Sequence, residues 1–170
     1  VHQKVTIQIS KGCHVLGYCK VSGSDEIAAL FQSEAELLEL LKEQGMEGVP
    51  QCLYCGELIE RVFLFVQNTE KTRQSKVPHE WSNLHEHFLI ELQRKTVQNV
   101  IFEKSDYYNT LQGLQAHMDW LPKFMNRNVI EKTISKIVNS YKGKIVEFST
   151  YHADFTPWNM FAEKNRLFVF

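Results

Sequence analysis

The chain has 170 residues, of which 44% are hydrophobic and 23% are charged, and this composition is typical of a globular protein of one domain or two small lobes. Nineteen basic and twenty acidic residues leave a formal net charge of -1, so the balance favours neither nucleic acid nor an anionic membrane as a partner. No apolar run approaches the roughly 18 residues of a membrane span, and the first residues lack the apolar segment of a signal peptide. We therefore expect a soluble cytoplasmic protein with a small-molecule partner.

Residues 5 to 22 predict an antiparallel hairpin. In the stretch KVTIQIS, apolar and polar residues alternate with the period of a half-buried strand. Lys11 and Gly12 favour a turn, and HVLGYCKVSG provides a second strand that ends at the polar residues 22 to 24. Lys20 lies on this second strand.

Four cysteines are spread over the first third of the chain, at Cys13, Cys19, Cys52 and Cys55. The last two form CLYC, which is compatible with a redox pair or half of a zinc site. A zinc site would need a second pair at similar spacing, or His14 brought close by folding. Reduced cysteines that act as small apolar side chains are the favoured interpretation for a cytosolic protein.

A helical pattern runs from about Asp25 to Gln44, and it carries one carboxylate on its apolar face. The leucines that stack on this face are Leu30, Leu37, Leu38 and Leu41. At about 100° per residue, Glu34 falls among them. A buried carboxylate needs a cation, and Lys20 on the preceding strand is the nearest candidate. The alternative is that Glu34 lies at the edge of the apolar stripe.

The middle of the chain predicts two strands, a polar connection and then helices. The strands lie around Leu53 and over residues 62 to 66, and the polar residues 68 to 80 connect two lobes. Helices are expected over residues 82 to 97 and 107 to 120. A further helix begins at a cap on Asn128 and ends near residues 142 to 143.

The last segment predicts a polar turn between strands. Strands are expected over residues 144 to 149, 160 to 162 and 167 to 170. The turn before the second of these strands contains His152, Asp154 and Asn159. A carboxylate and an amide oxygen five residues apart around a turn can be directed at one point, which suits a base beside a divalent ion. The alternative is an Asx-type turn in which Asp154 bonds its own backbone.

The segment YHADFTPWNM resembles the catalytic loop H-x-D-x-x-P-x-N of the aminoglycoside phosphotransferase and choline kinase-like group, which are relatives of protein kinases. Two further segments resemble parts of that group in the same order. The strand GYCKVS is similar to the one that carries the ATP-binding lysine, and SEAELLELLKEQGMEGVP is similar to the following helix with its glutamate.

This resemblance implies an α+β, protein kinase-like fold with two lobes. Residues 1 to 67 would form a small N-lobe of antiparallel strands and one helix, and residues 68 to 80 would connect the lobes. Residues 81 to 170 would form part of a mainly helical C-lobe, with the catalytic loop at residues 151 to 160. Adenine would lie between the lobes, near residues 65 to 70.

The resemblance also implies an ATP- and Mg²⁺-dependent phosphotransferase that moves a γ-phosphoryl group to a hydroxyl of a sugar, aminoglycoside or amino alcohol. Asp154 would be the base, His152 would brace the loop, and Asn159 would ligate Mg²⁺. Lys20 would contact the phosphates while Glu34 holds it in place. Such a reaction depends mainly on positioning and charge neutralisation.

Two differences from the group's pattern, and two rival interpretations, follow from the same residues. The final strand of the group runs into an aspartate that binds magnesium, and a phosphate-covering loop precedes the first strand. Because neither is present, we expect a fragment that is weak or inactive alone. One rival is a pseudokinase-like nucleotide-binding or interaction module without catalysis. The other is a protein kinase, which the HADFTPWN form disfavours.

Overall fold

A computed structural model describes residues 4 to 152 and 154 to 170. The chain divides into two compact units. The first unit takes its described residues from Val1–Thr96 and Tyr151–Phe170, and the second unit is Val97–Thr150. The boundaries of these units do not coincide with the connection predicted at residues 68 to 80. The two lobes therefore stay a prediction.

Within the described residues the chain is α+β, which confirms the predicted class. The strands are β1 (Val5–Lys11), β2 (His14–Ser22), β3 (Cys52–Ile59), β4 (Val62–Asn68), β5 (Gln98–Ile101), β6 (Ile145–Phe148), β7 (Met160–Glu163) and β8 (Arg166–Val169). The α-helices are α1 (Asp25–Glu43), α2 (Asn83–Thr96), α3 (Asp106–Ala116) and α4 (Arg127–Tyr141). Among these residues no helix is both long and apolar enough to span a bilayer.

The first unit is built on a four-stranded antiparallel sheet in the order β1-β2-β4-β3. The predicted hairpin of β1 and β2 is confirmed, and β2 occupies an inner position beside β4. Helix α1 packs on this sheet, since Phe31 lies 6.0 Å from the ring of Phe65, which is fully buried on β4. Helix α2 and the β7–β8 hairpin contribute to the same core through Phe88, Leu92, Met160, Leu167 and Val169.

Two expectations about burial in the first unit are wrong. The alternation in β1 predicts a half-buried strand, yet Val5, Ile7 and Ile9 are exposed. The reason is position, because β1 is an edge strand and its apolar side chains lie outside the core. Leu30 is exposed as well, and Phe31 takes its place in the core. The apolar face of α1 is therefore rotated by about one residue at this turn.

The second unit has its own core, formed by Phe102, Leu111 and Ile134. Strand β6 lies near the predicted residues 144 to 149, but its antiparallel partner β5 was not predicted. Helix α4 begins two residues before the expected position, because the cap is Asn126, whose side chain accepts a hydrogen bond from the Val129 N–H. The predicted cap at Asn128 is therefore wrong.

The polar connection at residues 68 to 80 is fastened to the β7–β8 hairpin. Lys76 and Ala162 exchange two backbone hydrogen bonds, of 3.0 and 2.8 Å. The hydroxyls of Thr72 and Ser75 both donate to the carboxylate of Glu163, each at 2.6 Å. These donors favour the ionised carboxylate, and the Ser75 bond followed by the Thr72 bond lowers the pKa of Glu163.

Removing these two hydroxyls should raise the pKa of Glu163. A group whose pKa is lower in the folded state stabilises the fold above its unfolded pKa, and this stabilisation is lost as the pH falls through the folded pKa. We expect an NMR titration of the Glu163 carboxyl to shift to higher pH in the Thr72→Val, Ser75→Ala variant. Thr110→Val, which removes a hydroxyl in the second unit, should leave it unchanged. An unshifted midpoint in the double variant would contradict the assignment.

Gly48 is the point at which the chain after α1 meets β8. Its φ is +76°, and its carbonyl accepts a hydrogen bond of 2.8 Å from the Val169 N–H. A Cβ on Gly48 would lie 2.3 Å from the carbonyl oxygen of Leu167. Both the left-handed backbone and this close approach require glycine.

The Gly48→Ala substitution should therefore destabilise the protein by about 2 kcal/mol or more, because strain and a backbone clash add. Gly113→Ala is the matched control. Gly113 lies within α3 with open space around its Cβ position, so alanine there should stabilise by about 0.5–1 kcal/mol. Urea unfolding of the two variants measures both effects, and equal midpoints would show that the contact at Gly48 has little energetic weight.

Candidate functional site

Lys20 and Glu34 form an ion pair between β2 and α1, as the sequence predicts. The Lys20 Nζ donates to both carboxylate oxygens of Glu34, at 2.6 and 2.8 Å. The side chains are 17% and 35% exposed, respectively. The Nζ also lies 4.9 Å from the centre of the Phe65 ring, within cation–π range. The helix therefore fixes the position of the ammonium group over the sheet.

This pair leaves the lysine able to bind an anion. An ammonium group carries three N–H donors, and the two oxygens of Glu34 engage two of them. The third can donate to a phosphate or carboxylate oxygen without breaking the pair. Because the carboxylate limits the movement of the side chain, less conformational entropy is lost when an anion binds.

The final polar turn brings Asp154 and Asn159 together. The Asn159 Nδ2 donates to the Asp154 carboxylate at 2.8 Å and to its backbone carbonyl at 3.0 Å. The Thr156 hydroxyl donates to the other carboxylate oxygen at 3.0 Å. Pro157 starts a short 3₁₀ turn that ends at Asn159 and leads into β7. The two side chains are thus adjacent, but the expected convergence of two oxygens on one point is not observed, because Asn159 directs its amide nitrogen at Asp154.

The Asx-type turn, the alternative interpretation of this segment, is not what the described residues form. The Thr156 N–H donates to the backbone carbonyl of Asp154, at 2.9 Å, and the described donors to the carboxylate are side chains. The Asn159 amide directs its nitrogen toward Asp154, so its oxygen points away from Asp154. The lone pairs of that oxygen remain available to accept from another group. The turn therefore presents an exposed carboxylate and an amide oxygen.

The chemistry of these donors fits Mg²⁺. This ion prefers oxygen ligands and takes one or two from protein, with phosphates and water completing its coordination. Among the described residues no group of three or more histidine, cysteine or acidic side chains could hold a metal. Because the Asn159 amide directs its nitrogen at Asp154, its oxygen and the carboxylate do not share one position, and a metal held by Asn159 would take its other ligands from phosphate and water.

His152 lies next to a small aromatic cluster that sequence reasoning missed. Its ring meets the ring of Phe155 edge to face, with centres 5.9 Å apart. Phe155 stacks on Phe88 of α2 at 5.9 Å and meets His85 at 6.1 Å. The His152 Nδ1 is buried and has no hydrogen-bond partner in the described part of the chain. The contact found for His152 is thus packing, and Phe155 connects the turn to α2.

A small hollow lies beside residues 65 to 70, where the resemblance implies that adenine binds. Gln67, Asn68, Thr69 and Glu70 line one side of it, and Phe161 and Val169 line another. Its free volume is about 10 Å³, room for about one water molecule. The rings of Tyr18 and Phe170, stacked with centres 6.4 Å apart, also line it. A base could enter only if the hollow widens.

The four cysteines are free thiols. Cys52 and Cys55 lie on β3, and burial raises the pKa of both thiols. A raised pKa keeps a thiol protonated and lowers its reactivity, since the thiolate is the nucleophile and the metal ligand. The geometry therefore offers no support for redox or zinc chemistry at the CLYC segment.

Comparison of the chain with known protein families, with curated proteins and with solved structures gave no match. Any function proposed for the chain therefore depends on the geometry of the described residues and on the motif itself.

The Lys20→Met substitution should destabilise the protein by about 1–2 kcal/mol. This range lies between the costs of breaking an exposed and a fully buried ion pair, because solvent reaches about a third of Glu34. Lys42→Met, on the helix α1 that carries Glu34, is the control. Lys42 pairs with Glu39 at 3.0 Å, with both side chains 52% exposed, so its loss should cost about 0.5 kcal/mol or less. Urea unfolding compares the two, and a larger cost at Lys42 would contradict the role given to Lys20.

Proposed function

We propose that the chain acts in the ATP-dependent transfer of a γ-phosphoryl group to a hydroxyl of a small molecule, and that its fold is protein kinase-like. The observation that carries the proposal is the ion pair of Lys20 and Glu34. The resemblance of the last turn to a phosphotransferase loop requires a lysine on the second strand held by a glutamate of the next helix. The two side chains are bonded at 2.6 and 2.8 Å.

The arrangement of the first unit supports the same proposal. Strand β2, which carries Lys20, is an inner strand of the sheet and pairs with β4. Strand β4 leads directly into the polar residues 68 to 80, and these residues form part of the hollow. A nucleotide whose base occupies the hollow would therefore lie beside the sheet whose strand β2 carries Lys20.

The side chains divide the work of the transfer. The ammonium of Lys20 binds anionic phosphate oxygens, and Glu34 prevents it from turning away. Asp154 orients the acceptor hydroxyl and accepts its proton. When bound through Asn159, Mg²⁺ would neutralise charge on the phosphate oxygens. Phe155 and His152 keep the turn in place through packing, so that Asp154 does not need to be reoriented during the reaction.

A nucleotide-binding module without catalysis is the second candidate, and one observation favours it. Both carboxylate oxygens of Asp154 already accept hydrogen bonds, from Thr156 and from Asn159. Both oxygens are therefore already engaged by side chains of the turn itself. Under this candidate the turn is a structural element, and a nucleotide only stabilises the fold. The cytoplasmic location expected from the sequence stays a prediction under both candidates.

The Asp154→Asn variant separates the two candidates. If Asp154 is the base, we expect the transfer of phosphate from ATP to a panel of sugar, aminoglycoside and amino alcohol acceptors to fall about 10²- to 10⁴-fold. ATP affinity should change little. Lys20→Met should instead weaken ATP binding about 10- to 100-fold, the loss of a charged hydrogen bond.

Asp119→Asn, in the second unit, is the control and should behave as the wild type. Calorimetry with ATP and a phosphorylation assay on the acceptors measure the two quantities. ATP binding without transfer, measured with the full-length protein, would favour the module. Transfer that persists in Asp154→Asn would exclude the proposed base.

A further inference from the structure

Gln67 is a buried polar residue at the end of β4, and it is 3% exposed. Its backbone is fixed on both sides, because it pairs with Tyr18 of β2 and with Cys52 of β3. Its side-chain oxygen Oε1 is buried without a hydrogen-bond partner in the described part of the chain. Most buried polar atoms are hydrogen-bonded, so an unpaired one calls for an explanation.

The position of Gln67 connects it with Lys20. In an antiparallel sheet, directly opposite residues share a face, and so do residues two apart along a strand. Lys20 lies opposite Phe65, and Tyr18 lies opposite Gln67. The side chains of Lys20 and Gln67 therefore lie on the same face of the sheet. The Lys20–Phe65 pair and the Tyr18–Gln67 pair are about 6.6–6.8 Å apart along the strands.

Gln67 also lines the hollow described above, together with Tyr18 and residues 68 to 70. The neighbouring backbone is closely packed, because a Cβ on Gly17 would lie 2.1 Å from the Gln67 carbonyl oxygen. The backbone of Gln67 therefore cannot easily shift to satisfy its side chain. A ligand that enters the hollow can bring the missing donor.

We propose that Oε1 of Gln67 accepts a hydrogen bond from the amino group at C6 of adenine, and that this bond makes the site select ATP over GTP. The inference depends on the proposed function, since it assumes a nucleotide in the hollow. Adenine presents an N–H donor at this position, whereas guanine presents an oxygen. In the described orientation of the amide, an oxygen at this position would face Oε1 as a second acceptor.

The test compares three nucleotides: ATP, GTP and purine riboside 5′-triphosphate, which has hydrogen in place of the amino group. Binding of each to the wild type and to Gln67→Met is measured by calorimetry. We expect the wild type to bind ATP about 3- to 30-fold more tightly than the purine analogue, the range of one hydrogen bond. In Gln67→Met this preference should fall to within about twofold, with little change for the analogue.

Gln74→Met, on the exposed part of the connection, is the matched control and should keep the preference of the wild type. Gln67→Leu repeats the test with a different apolar side chain, in case methionine alters the packing. Thermal unfolding of both Gln67 variants should give midpoints no lower than that of the wild type, because the substitution removes an unpaired buried oxygen.

The outcomes separate this inference from the proposed function. ATP binding that depends on Lys20, with a base preference unchanged in both Gln67 variants, would overturn the inference and leave the proposed function intact. A wild-type preference for GTP that both variants lose would overturn the role of Oε1 as an acceptor. If the wild type binds none of the three nucleotides, both proposals fail.

Discussion

The ion pair of Lys20 and Glu34 is the interaction on which the site depends. The Lys20 ammonium lies over the apolar ring of Phe65, and the carboxylate of Glu34 compensates the hydration that this half-buried cation loses. The pair joins β2 to α1, so it also fixes the rotation of the helix against the sheet. A cation held in this way keeps its charge in one position, which is the property that an anionic ligand requires.

The second part of the site is fixed by local geometry and aromatic packing. Hydrogen bonds within a few residues connect Asp154 with Thr156 and Asn159, and Phe155 packs on α2. The connection at residues 68 to 80 is bonded to the β7–β8 hairpin through Lys76 and the carboxylate of Glu163. The turn continues into the hairpin and the connection is bonded to it, which makes their positions interdependent.

The sequence predicts the local elements well and the contacts between distant segments less well. Helix α1, the β1–β2 hairpin and the β7–β8 hairpin follow from periodicity and turn residues, which act over short distances. The pairing of Lys20 with Glu34 was predictable because helical geometry placed a carboxylate among leucines. A carboxylate on an apolar face is a signal that one segment contains by itself.

The missed features depend on partners that no short segment contains. Strand β5 is short and gains its identity only from pairing with β6, and Phe155 looks like any apolar residue of a loop. Val5 belongs to an alternating pattern that is typical of a half-buried strand, but the edge position of β1 leaves its side chain exposed. For Gln67, the sequence gives no sign that a polar residue at the end of an apolar strand is buried.

The buried amide and the ion pair share a physical origin that connects the two ends of the proposed nucleotide site. One face of the sheet carries the core residue Phe65 of β4, with Lys20 opposite it on β2 and Gln67 two residues further along β4. Polar groups on a core face oppose folding unless something compensates them. Glu34 compensates the ammonium within the chain, whereas the oxygen of Gln67 has no compensation in the described residues. A ligand that donates a hydrogen bond at one end and carries negative charge at the other would satisfy both, and the sheet sets the distance between these two requirements.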